Sequence, residues 1–92
     1  MGVYVGPMFN TSPYSKAAWK WKDACHLLAD TEDELHELAD EIGLKRAWFQ
    51  AKSVPHYDLT SSMRRKALAA GVQSISRWQE GELIRCWRLS RP

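Results

Sequence analysis

The chain is short of the residues from which most recognisable small-protein signatures are built. It holds two cysteines, Cys25 and Cys86, far apart and in no CxxC pair, which excludes a disulfide framework and a cysteine-based zinc site. Both read as reduced, buried thiols of a cytoplasmic protein. No apolar run approaches the ~18 residues of a membrane span. The N-terminal stretch lacks a basic segment followed by an apolar one, so no secretory signal is expected there. GxGxxG, Walker A, GxSxG and HExxH patterns are all missing, which removes the usual dinucleotide, NTPase, hydrolase-elbow and zincin readings. Repeats and low-complexity tracts are absent as well.

What remains is an ordinary globular composition, with 45% hydrophobic and 26% charged residues over 92 positions. That length suits one domain with a single core. Five tryptophans are many for this size, and core filling is the first expectation for them; exposed ones would mark a binding face. The net charge is only +2, but it is unevenly placed. Asp30, Glu32, Asp33, Glu34, Glu37, Asp40 and Glu41 cluster without a cation, whereas Arg64, Arg65, Lys66, Arg77, Arg85, Arg88 and Arg91 face only Glu80 and Glu82. Two solvated helix faces of opposite sign account for this pattern.

Val3-Tyr4-Val5 reads as a strand ended by Gly6-Pro7, and residues 9–16 as a loop. The alternating segment 17–22 leads into a strand through Ala24–Ala29. Thr31 and Glu34 form a capping box, and Leu35, Leu38, Ala39 and Ile42 make one apolar stripe, so a helix is expected over 32–42 with Gly43 as its C-terminal stop. Ala47–Gln50 reads as a strand. His56–Thr60 leads into a second helix, capped by Thr60 or Ser61 and ended by Gly71. A short strand at Val72–Ile75 and a helix over 77–89, opened by a Ser76–Gln79 box, complete the chain. The resulting order predicts an α/β domain: a sheet of about four strands, at least partly parallel, with two to three helices.

In such folds polar ligands gather where strands run into helix N-termini. Two junctions qualify, His26–Asp30 and His56–Ser62. On a strand, His26, Leu28 and Asp30 share one face, while Cys25 points the other way and cannot pair with His26 as a nucleophile. His26, His36 and His56 all lie near these junctions, and with Asp30 and Asp58 they resemble a metal or acid–base cluster, of low specificity since the spacing matches no zinc signature. A hydrogen-bonded, half-buried histidine and an Asx-type turn are the plain readings of the same residues. His36 falls at the edge of the helix stripe and reads as a boundary or surface residue. Thr60, Ser61 and Ser62 followed by Arg64, Arg65 and Lys66 suit a phosphate, with Trp48, Phe49 or Tyr57 available to stack on a base and Gln50 to read its edge. An ordinary capped helix with solvated cations explains that segment equally simply.

The run Val3-Tyr4-Val5, Cys25-His26-Leu27, Ala29-Asp30-Thr31, Glu34-Leu35-His36, Ile42-Gly43, Trp48-Phe49-Gln50 and His56-Tyr57-Asp58 resembles a domain family of unknown function. That family occurs as small proteins of bacteria and bacteriophages, and the resemblance covers roughly residues 3–76. It implies a small cytoplasmic or phage-encoded domain and no particular reaction. In the family an acidic residue usually follows the opening VYV; here Gly6-Pro7 stands instead, which weighs towards a binder rather than an enzyme.

The leading expectation is a binding protein for a phosphate-bearing ligand, a nucleotide first of all, with sequestration in phage counter-defence as a setting. Its site would use His26, Asp30, Trp48, Gln50, His56, Tyr57, Asp58, Thr60, Arg64 and Arg65, enclosed between protomers of a homo-oligomer if one chain offers too shallow a pocket. Nucleic acid is a less favoured ligand, the residues name no particular cofactor, and no membrane is expected. A metal-dependent phosphodiesterase or nuclease built on His26, Asp30, His56 and Asp58 is the enzymatic alternative. The third is a module that inhibits a host complex through Trp19, Trp21, Trp78 and Trp87.

Overall fold

The computed structural model describes residues 2–10, 23–51 and 54–90. Their elements are β1 (Val3–Val5), β2 (Phe9–Asn10), β3 (Asp23–Ala29), α1 (Glu32–Glu41), β4 (Tyr57–Leu59), α2 (Ser61–Ala69), β5 (Gln73–Ser74) and α3 (Arg77–Ser90), with a 3-10 turn at Arg46–Trp48. The mixed sheet is organised around β3. Strand β1 pairs antiparallel with its second half, Val5 opposite Leu27. Strand β2 pairs with its start, Phe9 opposite Ala24, after a one-residue shift in register. Strand β4 runs antiparallel along its middle, Cys25 opposite Leu59 and Leu27 opposite Tyr57. Among the described residues the one parallel ladder joins β1 to β5, Val5 opposite Ser74.

Alternation along these strands decides what each face carries. Cys25, Leu27, Ala29, Val5, Tyr57 and Leu59 point to one face, where Leu35 and Ala39 of α1 and Ala67 of α2 meet them in a continuous buried core. Both helices start as their sequences dictate. The Thr31 hydroxyl accepts from the Glu34 amide at 3.2 Å, and the Thr60 hydroxyl accepts from the Met63 amide at 3.3 Å. Gly43 and Gly71, at φ 85° and 97°, adopt the left-handed conformation that stops each helix. Helix α3 opens with a reciprocal box, Gln79 N to Ser76 Oγ at 3.1 Å and Ser76 N to Gln79 Oε1 at 2.9 Å. It is anchored by the Trp87 indole N–H, which donates to the Ala29 carbonyl at 2.8 Å.

Several expectations need correction. Phe9–Asn10 is a strand rather than part of a loop, because β3 offers it a free ladder segment. Ala47–Gln50 is not a strand: Arg46–Trp48 turns as 3-10, and only Gln50 touches the sheet, through an isolated bridge to His56. Tyr57–Leu59, expected as a lead-in to α2, is strand β4. His36 is buried rather than at the surface, since its Nδ1 lies 2.9 Å from the Tyr57 hydroxyl. Cys86 is exposed; only Cys25 is buried. Nor do the described tryptophans fill the core. Trp78 and Trp48 are exposed, and Val, Leu, Ala and Tyr57 suffice for a core this small. Trp19 and Trp21, and the expected strand start at 17–22, lie outside the described residues. No helix among the described residues is long and apolar enough to cross a membrane.

Candidate metal centre

Strand alternation that sends Tyr57 and Leu59 into the core sends His56 and Asp58 to the opposite face. The β3–β4 register then sets His26 directly across from Asp58. Backbone pairing alone therefore delivers two imidazoles and a carboxylate to one spot. The His26 and His56 Nε2 atoms each lie 3.7 Å from Asp58 Oδ1. The two rings meet edge to face with centroids 5.0 Å apart. Ligand atoms of the three residues all fall within 4.8 Å of one another. Around a tetrahedral ion with bonds near 2.0–2.1 Å, ligand atoms lie about 3.3 Å apart, so each of the two 3.7 Å histidine–Asp58 separations is within a few tenths of an ångström of that spacing.

Each of the three groups is also held from behind. The His56 Nδ1–H donates to the Val54 carbonyl at 2.8 Å, which leaves Nε2 with its lone pair turned towards Asp58. Gln50 donates its side-chain amide to Asp58 Oδ2, so Oδ1 is the oxygen left to face the histidines. Gln50 is placed there by its paired backbone bonds with His56, both 2.9 Å. Behind His26, Nδ1 lies 3.4 Å from Glu80 Oε1. Backbone carbonyl, amide and carboxylate partners of this kind fix tautomer and orientation at metal sites. The side chains are partly buried, at 29% exposure for His26, 14% for His56 and 25% for Asp58, and Phe9 packs against the His26 ring at 5.0 Å. Burial works against a charged His26, but the Glu80 hydrogen bond and the charges of Glu80 and Asp58 outweigh it and hold its pKa above the ordinary value.

A family profile described as a protein of unknown function, DUF4031, matches residues 3–88. The chain belongs to the DUF4031 family. Comparison with curated proteins and with solved structures gives no match. The family match runs past residue 76, where the resemblance in sequence was traced, and takes in nearly all of α3.

Of the residues expected at the site of this DUF4031 member, His26, Gln50, His56 and Asp58 come together. The others take up different duties. Asp30 sits at the far end of β3 and accepts from the Tyr4 hydroxyl at 2.9 Å. Tyr57 is fully buried in the core, which rules it out as a stacking platform. Trp48 lies on the 3-10 turn with the Lys45 ammonium 5.6 Å above its ring. Thr60 spends its hydroxyl on the α2 cap. Arg64 donates to the Gly6 carbonyl at 3.2 Å and to Ser74 Oγ at 3.1 Å, and Arg65 donates to Ser62 Oγ at 3.5 Å. Sequence reasoning missed Glu80, whose one signal was its place as a rare acid in the basic C-terminal third.

Proposed function

We propose that this protein is a metal-dependent hydrolase of phosphate esters, with His26 Nε2, His56 Nε2 and Asp58 Oδ1 holding one divalent transition-metal ion. The observation that carries the reading is the convergence of these three atoms, each backed by its own hydrogen-bonding partner. Two imidazoles and a carboxylate suit zinc, manganese or iron better than magnesium or calcium. Three protein ligands leave coordination positions for water and for a substrate oxygen, and an ion so held supplies a nucleophile at neutral pH and stabilises charge at phosphorus. Asp58 balances part of the ion's charge, and the two histidines, neutral when ligating, leave a net positive centre that attracts a phosphate. The acid–base cluster of the sequence reading thus becomes the working centre, without Asp30.

Calorimetric titration of metal-free protein with Zn²⁺ and Mn²⁺ should give one site per chain, abolished by His56→Ala and Asp58→Asn. With the ion bound, bis(p-nitrophenyl) phosphate or a nucleotide panel should be hydrolysed, and both substitutions should remove the activity. Absence of metal binding at micromolar concentrations overturns the proposal. Metal and nucleotide binding without turnover would return the protein to the sequestration reading.

A further inference from the structure

Glu80 is the unusual group of this face. Its side chain is only 14% exposed. Its Oε1 reaches His26 Nδ1 at 3.4 Å, while its Oε2 is fully buried and has no hydrogen-bond partner among the described residues. Burying a carboxylate oxygen unpaired is costly, so its place demands a reason. The helix holds it there from several points. Glu80 lies in the first turn of α3, its amide bonded to the Ser76 carbonyl at 2.9 Å, and the Ile75 amide is bonded to Val5 at the same distance. Further along, Trp87 clamps α3 to Ala29.

The carboxylate rests directly over Gly6. A Cβ at position 6 would lie 1.6 Å from Glu80 Oε2, 2.7 Å from its Cδ and 3.5 Å from Oε1, and these are the three nearest atoms it would meet. Gly6 is not among the glycines with positive φ, which are Gly43 and Gly71. Backbone conformation therefore does not call for glycine at position 6; space for the Glu80 carboxylate does.

We propose that Glu80 is a positioning residue of the metal centre, accepting a hydrogen bond from His26 Nδ1–H so that Nε2 faces the ion, and that the bare Cα of Gly6 is what admits it. The proposal rests on the metal reading above. It assigns a carboxylate–histidine–metal relay spanning three parts of the chain: α3 supplies the acid, β3 the imidazole, and the residue after β1 the room. Loss of such a partner weakens metal binding by about 10–100-fold without removing a ligand. Glu80 is not itself a ligand, because it addresses the nitrogen of His26 that points away from Asp58.

The test is Zn²⁺ affinity, with the visible absorption of the Co²⁺-loaded protein, for wild type, Glu80→Gln, Glu80→Ala, Gly6→Ala and the Gly6→Ala/Glu80→Ala double variant. Affinity should fall from wild type through Glu80→Gln, which keeps an acceptor without charge, to Glu80→Ala at about 10–100-fold weaker. Gly6→Ala should match Glu80→Ala, because the carboxylate is the mobile end of a side chain and swings aside rather than unfolding the domain. The double variant should be no weaker than either single one, since both remove the same contact. Melting of the metal-free proteins separates these effects from folding, and the near-isosteric Glu80→Gln keeps the test decisive if an alanine variant is unstable. Wild-type affinity in Glu80→Gln and Glu80→Ala overturns this inference alone, and so do losses at positions 6 and 80 that multiply. A wild-type protein that takes up no ion overturns the metal reading and this inference together.

Discussion

His26 stands opposite Asp58 across the β3–β4 ladder, with His26 Nε2 3.7 Å from Asp58 Oδ1. Thirty or so residues of intervening helix and turn do not disturb that relationship, because it is set by register. A slip of one residue in β4 would carry His56 and Asp58 into the core and Tyr57 out of it. Burial of Tyr57 and Leu59 thus enforces the geometry of the polar face.

Raised above its ordinary value by Glu80 and Asp58 against the effect of burial, His26 makes the metal-free protein sensitive to pH. A group whose pKa is higher folded than unfolded contributes stability fully below the unfolded value, about 6.5 for histidine, and loses it as pH rises through the folded value. The melting temperature of the metal-free protein should therefore fall above about pH 6.5, and His26→Asn should flatten that fall. Metal affinity should move the other way over the same window, rising as Nε2 loses its proton.

Tyr57 and His36 form a polar contact within the core, 2.9 Å between hydroxyl and Nδ1, with Phe49 meeting the His36 ring edge to face and the Tyr57 ring at a tilt. Tyr57→Phe leaves a buried imidazole nitrogen without this partner, at a cost of about 1–3 kcal/mol. His36→Ala should cost more through lost packing, and the two effects should not add. Urea unfolding of the single and double variants measures both.

The Thr31 cap was evident from the residues themselves, Thr60 was one of two candidates for the next, and removal of either has a defined size. Thr31→Ala and Thr60→Ala should each destabilise by about 1 kcal/mol, and being on separate helices they should add. Because the Thr60 hydroxyl is occupied by the Met63 amide, Thr60→Ala should leave metal affinity unchanged.

The two thiols should react at very different rates. Cys86 is exposed on α3, while Cys25 is buried and desolvation pushes its pKa up to about 11. A disulfide reagent such as Ellman's should titrate one thiol rapidly in the native state and the second only on unfolding. Cys25 lies in the core beneath α1 and α2, so its labelling rate also reports opening of that core.

Helices were the most legible part of the sequence. Capping hydroxyls, apolar stripes and stop glycines act within a few residues, and α1, α2 and α3 follow them closely. Strand β4 was hidden because His56–Thr60 carries turn-forming residues, and only its pairing partner, 30 residues away, makes it a strand. The site divides along the same line. His26, His56, Asp58 and Gln50 were readable as chemistry, though not as geometry. The pairing of Glu80 with Gly6 was not readable, since its meaning lies in a contact between the first strand's exit and the last helix. Asp30 was misplaced with the cluster for a local reason: it shares the strand face of His26 yet sits four residues further along, beside Tyr4.

Glu80 is 54 positions from His26 in sequence, whereas His56 and Asp58 are nearer and on a neighbouring strand. A chain emerging from the ribosome can therefore close the β3–β4 ladder, and bring all three ion-facing atoms together, well before residue 80 exists outside the exit tunnel. On the metal reading proposed above, an ion taken up at that stage would be held loosely, and its tightening would wait for the arrival of the final helix.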